Sequence, residues 1–173
     1  MMHWRLRRAA AADADALAMV AAASFLETFA GVLAGPDIVR HCAVNSAPAK
    51  FATWANDPAS VVTLAEHPEG AAAMGYSVLT VPDLPIPPEP GDIELRRIYA
   101  LSVTRGTGLG AALMARAVAD ARASGMTRML LGVLGRNRRA RDFYERQGYA
   151  LVGERRFLVG ETWYDDVVYG RAI

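Results

Sequence analysis

Residues 105–110 read Arg-Gly-Thr-Gly-Leu-Gly and lead directly into the alanine- and leucine-rich run 111–125. Alternating glycines ahead of a helix let successive backbone N–H groups converge on an anion, and the helix dipole favours negative charge at that end. Three phosphate chemistries compete for such a turn. A Walker-type loop needs Lys and then Ser or Thr after its last glycine; Ala111 and Ala112 stand there instead. A dinucleotide fingerprint is formally present as Gly106-x-Gly108-x-x-Ala111. It lacks the acidic residue that should follow for the ribose, and the chain beyond Ala111 is too short for a full Rossmann sheet. The third chemistry is a pyrophosphate held by backbone amides at a helix N-terminus. A plain tight turn would explain one or two of the glycines.

A second constellation lies in residues 137–149, Asn-Arg-Arg-Ala-Arg-Asp-Phe-Tyr-Glu-Arg-Gln-Gly-Tyr. Asn137 can cap a helix that stops at Gly148, and Tyr144 supplies a weakly acidic hydroxyl. Of the nineteen basic residues only Lys50 is a lysine, and Arg136, Arg138, Arg139, Arg141 and Arg146 crowd this segment. They form either a solvated helix face or a local phosphate site, for which the planar guanidinium is well suited.

Taken together, RIYALSVTRGTGLG, the helix after it, the strand LLGVL and the Asn-x-x-Ala-x-x-Phe-Tyr-x-x-x-Gly-Tyr segment resemble the acetyl-coenzyme A signature of the Gcn5-related N-acetyltransferase (GNAT) superfamily. Within it, SFLETFAG (24–31), ELRRIY, GERRFLVG and YDDVV are similar to the bacterial spermidine/spermine N-acetyltransferase-like branch. The resemblance implies acetyl-CoA as cosubstrate, no metal, and transfer of an acetyl group to a primary amine, with a small cationic amine or polyamine as acceptor. Acetylation of protein N-terminal α-amines and a non-catalytic acyl-CoA-binding module are the alternatives.

Carried over residue by residue, the resemblance puts the pantetheine arm against the strand backbone at Ala100, Leu101 and Ser102. It puts the pyrophosphate on Arg105, Gly106, Thr107, Gly108, Leu109 and Gly110, and a further coenzyme contact at Asn137. Tyr144 becomes the general acid for the departing thiolate, and a backbone N–H near Ala100 meets the oxyanion. Glu94 is the candidate base. It is equally placed for an ion pair with Arg96 or Arg97, and a water chain to bulk would serve as well. Glu27 and Phe29 are the candidate acceptor contacts. Asp165 and Asp166 are further attractors for a cation, and as strand neighbours they point to opposite faces.

These groups need a scaffold. Residues 4–7 read as a first strand. Asp13 or Asp15 caps a helix through Phe29, and residues 37–56 hold one or two short helices. VVTLAEH and AAAMGYSVLTV form a hairpin around Pro68-Glu69-Gly70. Five of the nine prolines fall in 82–92, which marks a stiff loop inside the domain. Strand 93–103, the glycine turn, a helix closed by Gly125, the apolar strand 128–134, the Asn137 helix and two last strands complete the chain. The fold class is α/β, a mixed sheet with helices on both faces in the order β-α-α-β-β-β-α-β-α-β-β, as a single domain over residues 1–173.

Composition narrows the function classes. A net charge of +1 gives no reason to expect a nucleic acid partner. The apolar runs are too short for a membrane span, and Asp13 and Asp15 interrupt the N-terminal alanine run where a signal peptide needs its apolar middle. Cys42 is the lone cysteine and His3, His41 and His67 are scattered, so neither a disulfide nor a metal-ligand spacing is present. A cytoplasmic location is expected, with a small-molecule amine as partner and a homodimer left open as the assembly.

Overall fold

The computed structural model describes residues 3–173. Strand β1 (Arg5–Arg8) is followed by helices α1 (Ala14–Phe29), α2 (Gly35–Asn45) and α3 (Pro48–Asn56). Then come β2 (Val61–Glu66), β3 (Ala73–Thr80), β4 (Asp92–Ala100), α4 (Leu109–Ala123), β5 (Arg128–Leu134), α5 (Arg138–Arg146), β6 (Ala150–Val159) and β7 (Thr162–Ala172). The seven strands make one sheet in the order β1-β2-β3-β4-β5-β7-β6. Neighbours are antiparallel except β4 and β5, the pair joined through the crossover helix α4.

Segment 37–56 resolves into two helices, so three helices precede β2 and not the two of the expected order. Proline explains the difference: Pro36 and Pro48 sit in the first turns of α2 and α3, where a missing N–H costs nothing. Asp13 occupies the N-cap position of α1, but its carboxylate accepts from Ala10 N–H at 2.8 Å and from the Arg7 guanidinium at 2.7 and 2.8 Å. Arg7 also bonds Glu66 at 2.7 Å, so one guanidinium ties β1, β2 and the entry to α1. It holds the Asp13 carboxyl down at about 2.

Each sheet face carries its own core. On one face α4 and α5 bring Met114, Ala117, Ala121 and Tyr144 against Ile93, Leu95, Met129 and Leu131. On the other, α1 and α3 bring Leu17, Val20 and Phe51 against Val62, Leu64, Tyr76 and Val78. Helix α4 stops as expected at Gly125, whose φ of 77° lets Met126 N–H reach back to Ala121 O at 3.0 Å. No helix among the described residues is long and apolar enough to cross a membrane.

The β4–β5 pairing is short. Asp92, Ile93 and Glu94 pair with Arg128, Met129 and Leu130, and there the ladder ends. Beyond it β4 stays paired to β3 as far as Ala100, while β5 stays paired to β7 as far as Leu134. The two central strands therefore part like a V, and Leu113 of α4, fully buried with Leu109 and packed against Ile98 and Ala100, holds the β4 arm in place. Leu113→Ala should lower the unfolding free energy by about 2–5 kcal/mol in urea denaturation, the range for an emptied aliphatic core site.

Candidate active site

The V opens into a cleft of about 700 Å³. Its β4 wall presents backbone. Leu101 N–H bonds Met74 O at 2.9 Å on the β3 side, so strand alternation turns the polar groups of Ala100 and Ile98 toward the β5 side, where the ladder has ended. Beyond the parted end of β4 the glycine turn leads into the N-terminus of α4. Gly106 and Gly108 adopt φ values of 77° and 87° with open space over their Cα atoms, so glycine is demanded by conformation and the approach is clear. Gly110 is under no such demand: a Cβ there would make ordinary contact with the Phe143 ring at 3.8 Å. The N–H groups of Gly108, Leu109, Gly110 and Ala111 find no acceptor among the described residues, and all four residues line the cleft. Such a set of amides at a helix N-terminus fits an anionic pyrophosphate.

The residues expected around this turn divide. Arg105 lines the cleft and is exposed. Leu109 contributes backbone, its side chain lying in the core. Thr107 faces away: its hydroxyl donates to Thr104 O at 2.6 Å and accepts from Trp4 Nε1 at 3.1 Å, which pins the turn. Ala100 and Leu101 line the cleft, whereas Ser102 lies beyond it with its N–H bonded to the Glu27 carboxylate at 2.7 Å. Glu27 thus caps the short 3-10 turn after β4. Phe29 is a wall of the cleft, packed with Phe25, Leu33, Ile38 and Leu134.

On the β5 arm Asn137 caps α5 by accepting from Ala140 N–H at 3.2 Å and borders the cleft. Of the crowded arginines, Arg139 and Arg146 line the cleft. Arg141 is engaged elsewhere, donating to Tyr169 Oη and Gly135 O at 3.1 Å each. Tyr144 is buried among Phe143, Tyr149 and Tyr169, with ring centroids 5.5–6.4 Å away. Its hydroxyl has no hydrogen-bond partner among the described residues. Burial, reinforced by Tyr99 and Tyr149, raises its pKa far above that of a free phenol, so the proton stays on the oxygen. Glu94, also buried, accepts through Oε2 from Asp83 N–H at 2.8 Å and from Arg96 at 3.1 Å. The ion pair weighed against a base role is therefore made, with Arg96, and Oε1 takes no partner among the described residues.

The other half of the cleft was not visible in the local sequence. It is assembled from α1, α2 and the strands β4 to β7. His41 lies 5% exposed with its ring stacked on Phe25 at 4.2 Å, and burial followed by the nearby Arg97 charge pushes its pKa down to about 4. Arg155 reaches across to Gly132 and pairs with the buried Asp166 at 3.2 Å. A Cβ at Gly132 would fall 2.4 Å from the Arg155 guanidinium. A lone glycine in the apolar strand RMLLGVL was the one sequence sign of such a close approach. Asp166 lines the cleft and Asp165 points away, as alternation requires.

A mixed seven-stranded sheet with its two central parallel strands parted, and with free helix-terminal amides in the gap, defines an acyl-coenzyme A N-acyltransferase fold. Residues 36–149 match the Acetyltransferase (GNAT) family, and the chain belongs to that family. Uncharacterized N-acetyltransferases of Mycobacterium tuberculosis and Mycobacterium bovis are each 34% identical to it over 161 residues, 93% of this chain and 98% of theirs. The crystal structure of the PaiA N-acetyltransferase from Thermoplasma acidophilum in complex with coenzyme A superposes with a TM-score of 0.81 over 99% of this chain and all of that one, at 17% identity. A ribosomal-protein-alanine N-acetyltransferase from Brucella melitensis gives 0.72 at 22% identity, over 98% of this chain and 99% of that one. The protein is an acetyltransferase that uses acetyl-CoA.

His41 predicts a pH effect on stability. Its folded pKa, about 4, lies below the usual 6.5, so between those values the unfolded chain binds more protons. Stability should be complete above pH 6.5 and fall by up to about 3 kcal/mol as pH drops to 4. Asp166, displaced upward, works in the opposite sense, so denaturation midpoints of His41→Gln and the parent across this window isolate the histidine: the variant should show the flatter profile.

Proposed function

We propose that the chain moves the acetyl group of acetyl-CoA to a primary amine of a small molecule by direct attack, with Tyr144 as the general acid. The observation that carries this reading is the juxtaposition, in one cleft, of the free α4 amides and a phenol whose proton is retained. Bound there, acetyl-CoA supplies the activated thioester. The amides of Gly108 to Ala111 bind its pyrophosphate, with Arg105 adding charge. Ala100 N–H stands ready for the charge that develops on the carbonyl oxygen. Tyr144 Oη gives its proton to the departing sulfur. The amine must arrive neutral or lose a proton, and Glu94 Oε1 or a water chain to bulk takes it.

The polyamine form of the reading has weaker support. Its attractors were Glu27, Asp165 and Asp166. Glu27 is bonded to Ser102 N–H, Asp165 points out of the cleft, and Asp166 is neutralised by Arg155.

Thioester release from acetyl-CoA across a panel of primary amines tests the activity. Tyr144→Phe should lower kcat about 10²-fold, the lower end of general acid catalysis, with coenzyme affinity retained by calorimetry. Unaltered kcat and an unaltered pH–rate profile would return Tyr144 to packing alone. At Gly108, where Asn and Asp both tolerate the positive φ, Gly108→Asp should bind coenzyme about tenfold more weakly than Gly108→Asn, because only Asp adds a charge beside the phosphates. Equal affinities would move the pyrophosphate off this turn.

A further inference from the structure

Three arginines reach the acceptor end of the cleft, and two of them have carboxylate partners: Arg96 with Glu94 and Arg155 with Asp166. Arg97 has none within 4 Å among the described residues. Its hydrogen bonds go to neutral acceptors, Asn45 O at 2.6 Å and Ser46 Oγ at 3.3 Å. Its guanidinium lies over the Trp54 ring at 5.1 Å and the Phe51 ring at 5.7 Å. The side chain is half-buried, and its charge adds to the burial that lowers the His41 pKa and partly offsets the burial that raises those of Cys42, Tyr76 and Tyr99.

A partly desolvated cation held by neutral groups and aromatic faces is costly unless an anion completes it. The coenzyme phosphates are poor candidates. Arg97 takes its partners from α2, α3 and the residue between them, on the sheet face opposite α4, whereas the free amides belong to α4. What remains is the acceptor. We propose that the acceptor carries a carboxylate that the Arg97 guanidinium binds, so that the acceptor is an amino acid with an apolar side chain and not a polyamine. This rests on reading the cleft as an N-acetyltransferase site and names the acceptor class for it.

The remaining chemistry agrees. Two hydrogen bonds leave guanidinium N–H groups free for a carboxylate, whose planar geometry matches the fork. Phe25, Tyr99 and Phe157 supply apolar wall for a side chain. The Arg97 charge also disfavours an ammonium nearby, which helps the α-amine shed the proton it must lose before attack. A polyamine would bring two or three positive charges to the same cation and would lack a counterion for it.

The test compares kcat/KM for L-phenylalanine, L-phenylalaninamide, phenethylamine and spermidine, with acetyl-CoA saturating, in the parent protein and in Arg97→Gln. In the parent, L-phenylalanine should lead its amide and spermidine by about 10- to 100-fold, the span of a hydrogen-bonded charge pair. In Arg97→Gln that ratio should collapse to within about threefold. A purely structural Arg97 would depress all substrates alike and leave the ratio standing. Coenzyme Kd by calorimetry reports whether the variant is folded. If it is not, Arg97→Lys replaces it, keeping the charge and losing the fork, and should give an intermediate ratio. A parent that prefers the amide or spermidine, or a ratio unmoved by the substitution, overturns the proposal and leaves the acetyltransferase reading intact. Thioester release with none of the amines, despite coenzyme binding, counts against the transfer reading. In that case L-phenylalanine titrated into the coenzyme complex decides: saturable binding that Arg97→Gln abolishes upholds the carboxylate site, and no binding refutes it.

Discussion

The parting of β4 from β5 after Glu94 and Leu130 is the feature on which the site depends. Each strand is anchored on its outer side, β4 by β3 and β5 by β7, so the gap between them does not close. Backbone N–H and C=O groups on the inner edges then lack the partners that a continuous ladder would provide, and such groups inside a fold demand satisfaction. An extended amide-bearing arm has the groups to satisfy them, whatever the side chains along Ile98 to Leu101, which can then be ordinary packing residues. The β-bulge in β4, where Val78 pairs with Arg97 and Leu79 with Leu95, sets Arg96 out of register and fixes which β4 side chains turn to which face.

The sheet divides the labour between its two faces. The α4 and α5 face offers a helix N-terminus with unsatisfied amides and a buried phenol, a combination suited to phosphate and thiolate. The α1, α2 and α3 face offers His41, Arg97 and the Arg155–Asp166 pair among aromatic rings. Low dielectric and burial drive the titratable groups apart: the Tyr144 and Asp166 pKa values rise while that of His41 falls, so each favours its neutral form. Against that background the guanidinium of Arg97 stands out as a charge lacking an ionic partner among the described residues.

Much of this was legible in advance. The succession of strands, the hairpin at 61–80, the proline loop, the glycine turn and the Asn137 cap were all written in short-range patterns, because capping, turn conformation and amphipathic period are set by residues within about four positions of one another. The errors were of a different kind. Residues 37–56 allowed one helix or two, the expected order counted only one, and Pro48 starts the second. Thr107 and Ser102 were placed with their neighbours on the ligand side, yet the Thr107 hydroxyl is held by Trp4 and the Ser102 N–H by Glu27, more than seventy positions away. Glu94 could be assigned to catalysis or to an ion pair until the path of β4 brought Arg96 and Asp83 N–H onto the same oxygen.

By itself the sequence determined the chemistry of the α4 and α5 half of the cleft: glycines where φ must be positive, an unblocked helix start after them, and Tyr144 on the helix that follows β5. Those elements lie close together along the chain, and each needs only local conformation to acquire its property. The other half of the cleft was decided by tertiary structure. His41, Arg97, Gly132, Arg155 and Asp166 come from separate elements scattered over most of the chain, and apart from the lone glycine in RMLLGVL none carries a local signature that distinguishes it from a surface or core residue. Their charges and pKa values follow from which partner each meets and how much water is excluded when the sheet folds, and those quantities do not exist until the chain has closed on itself.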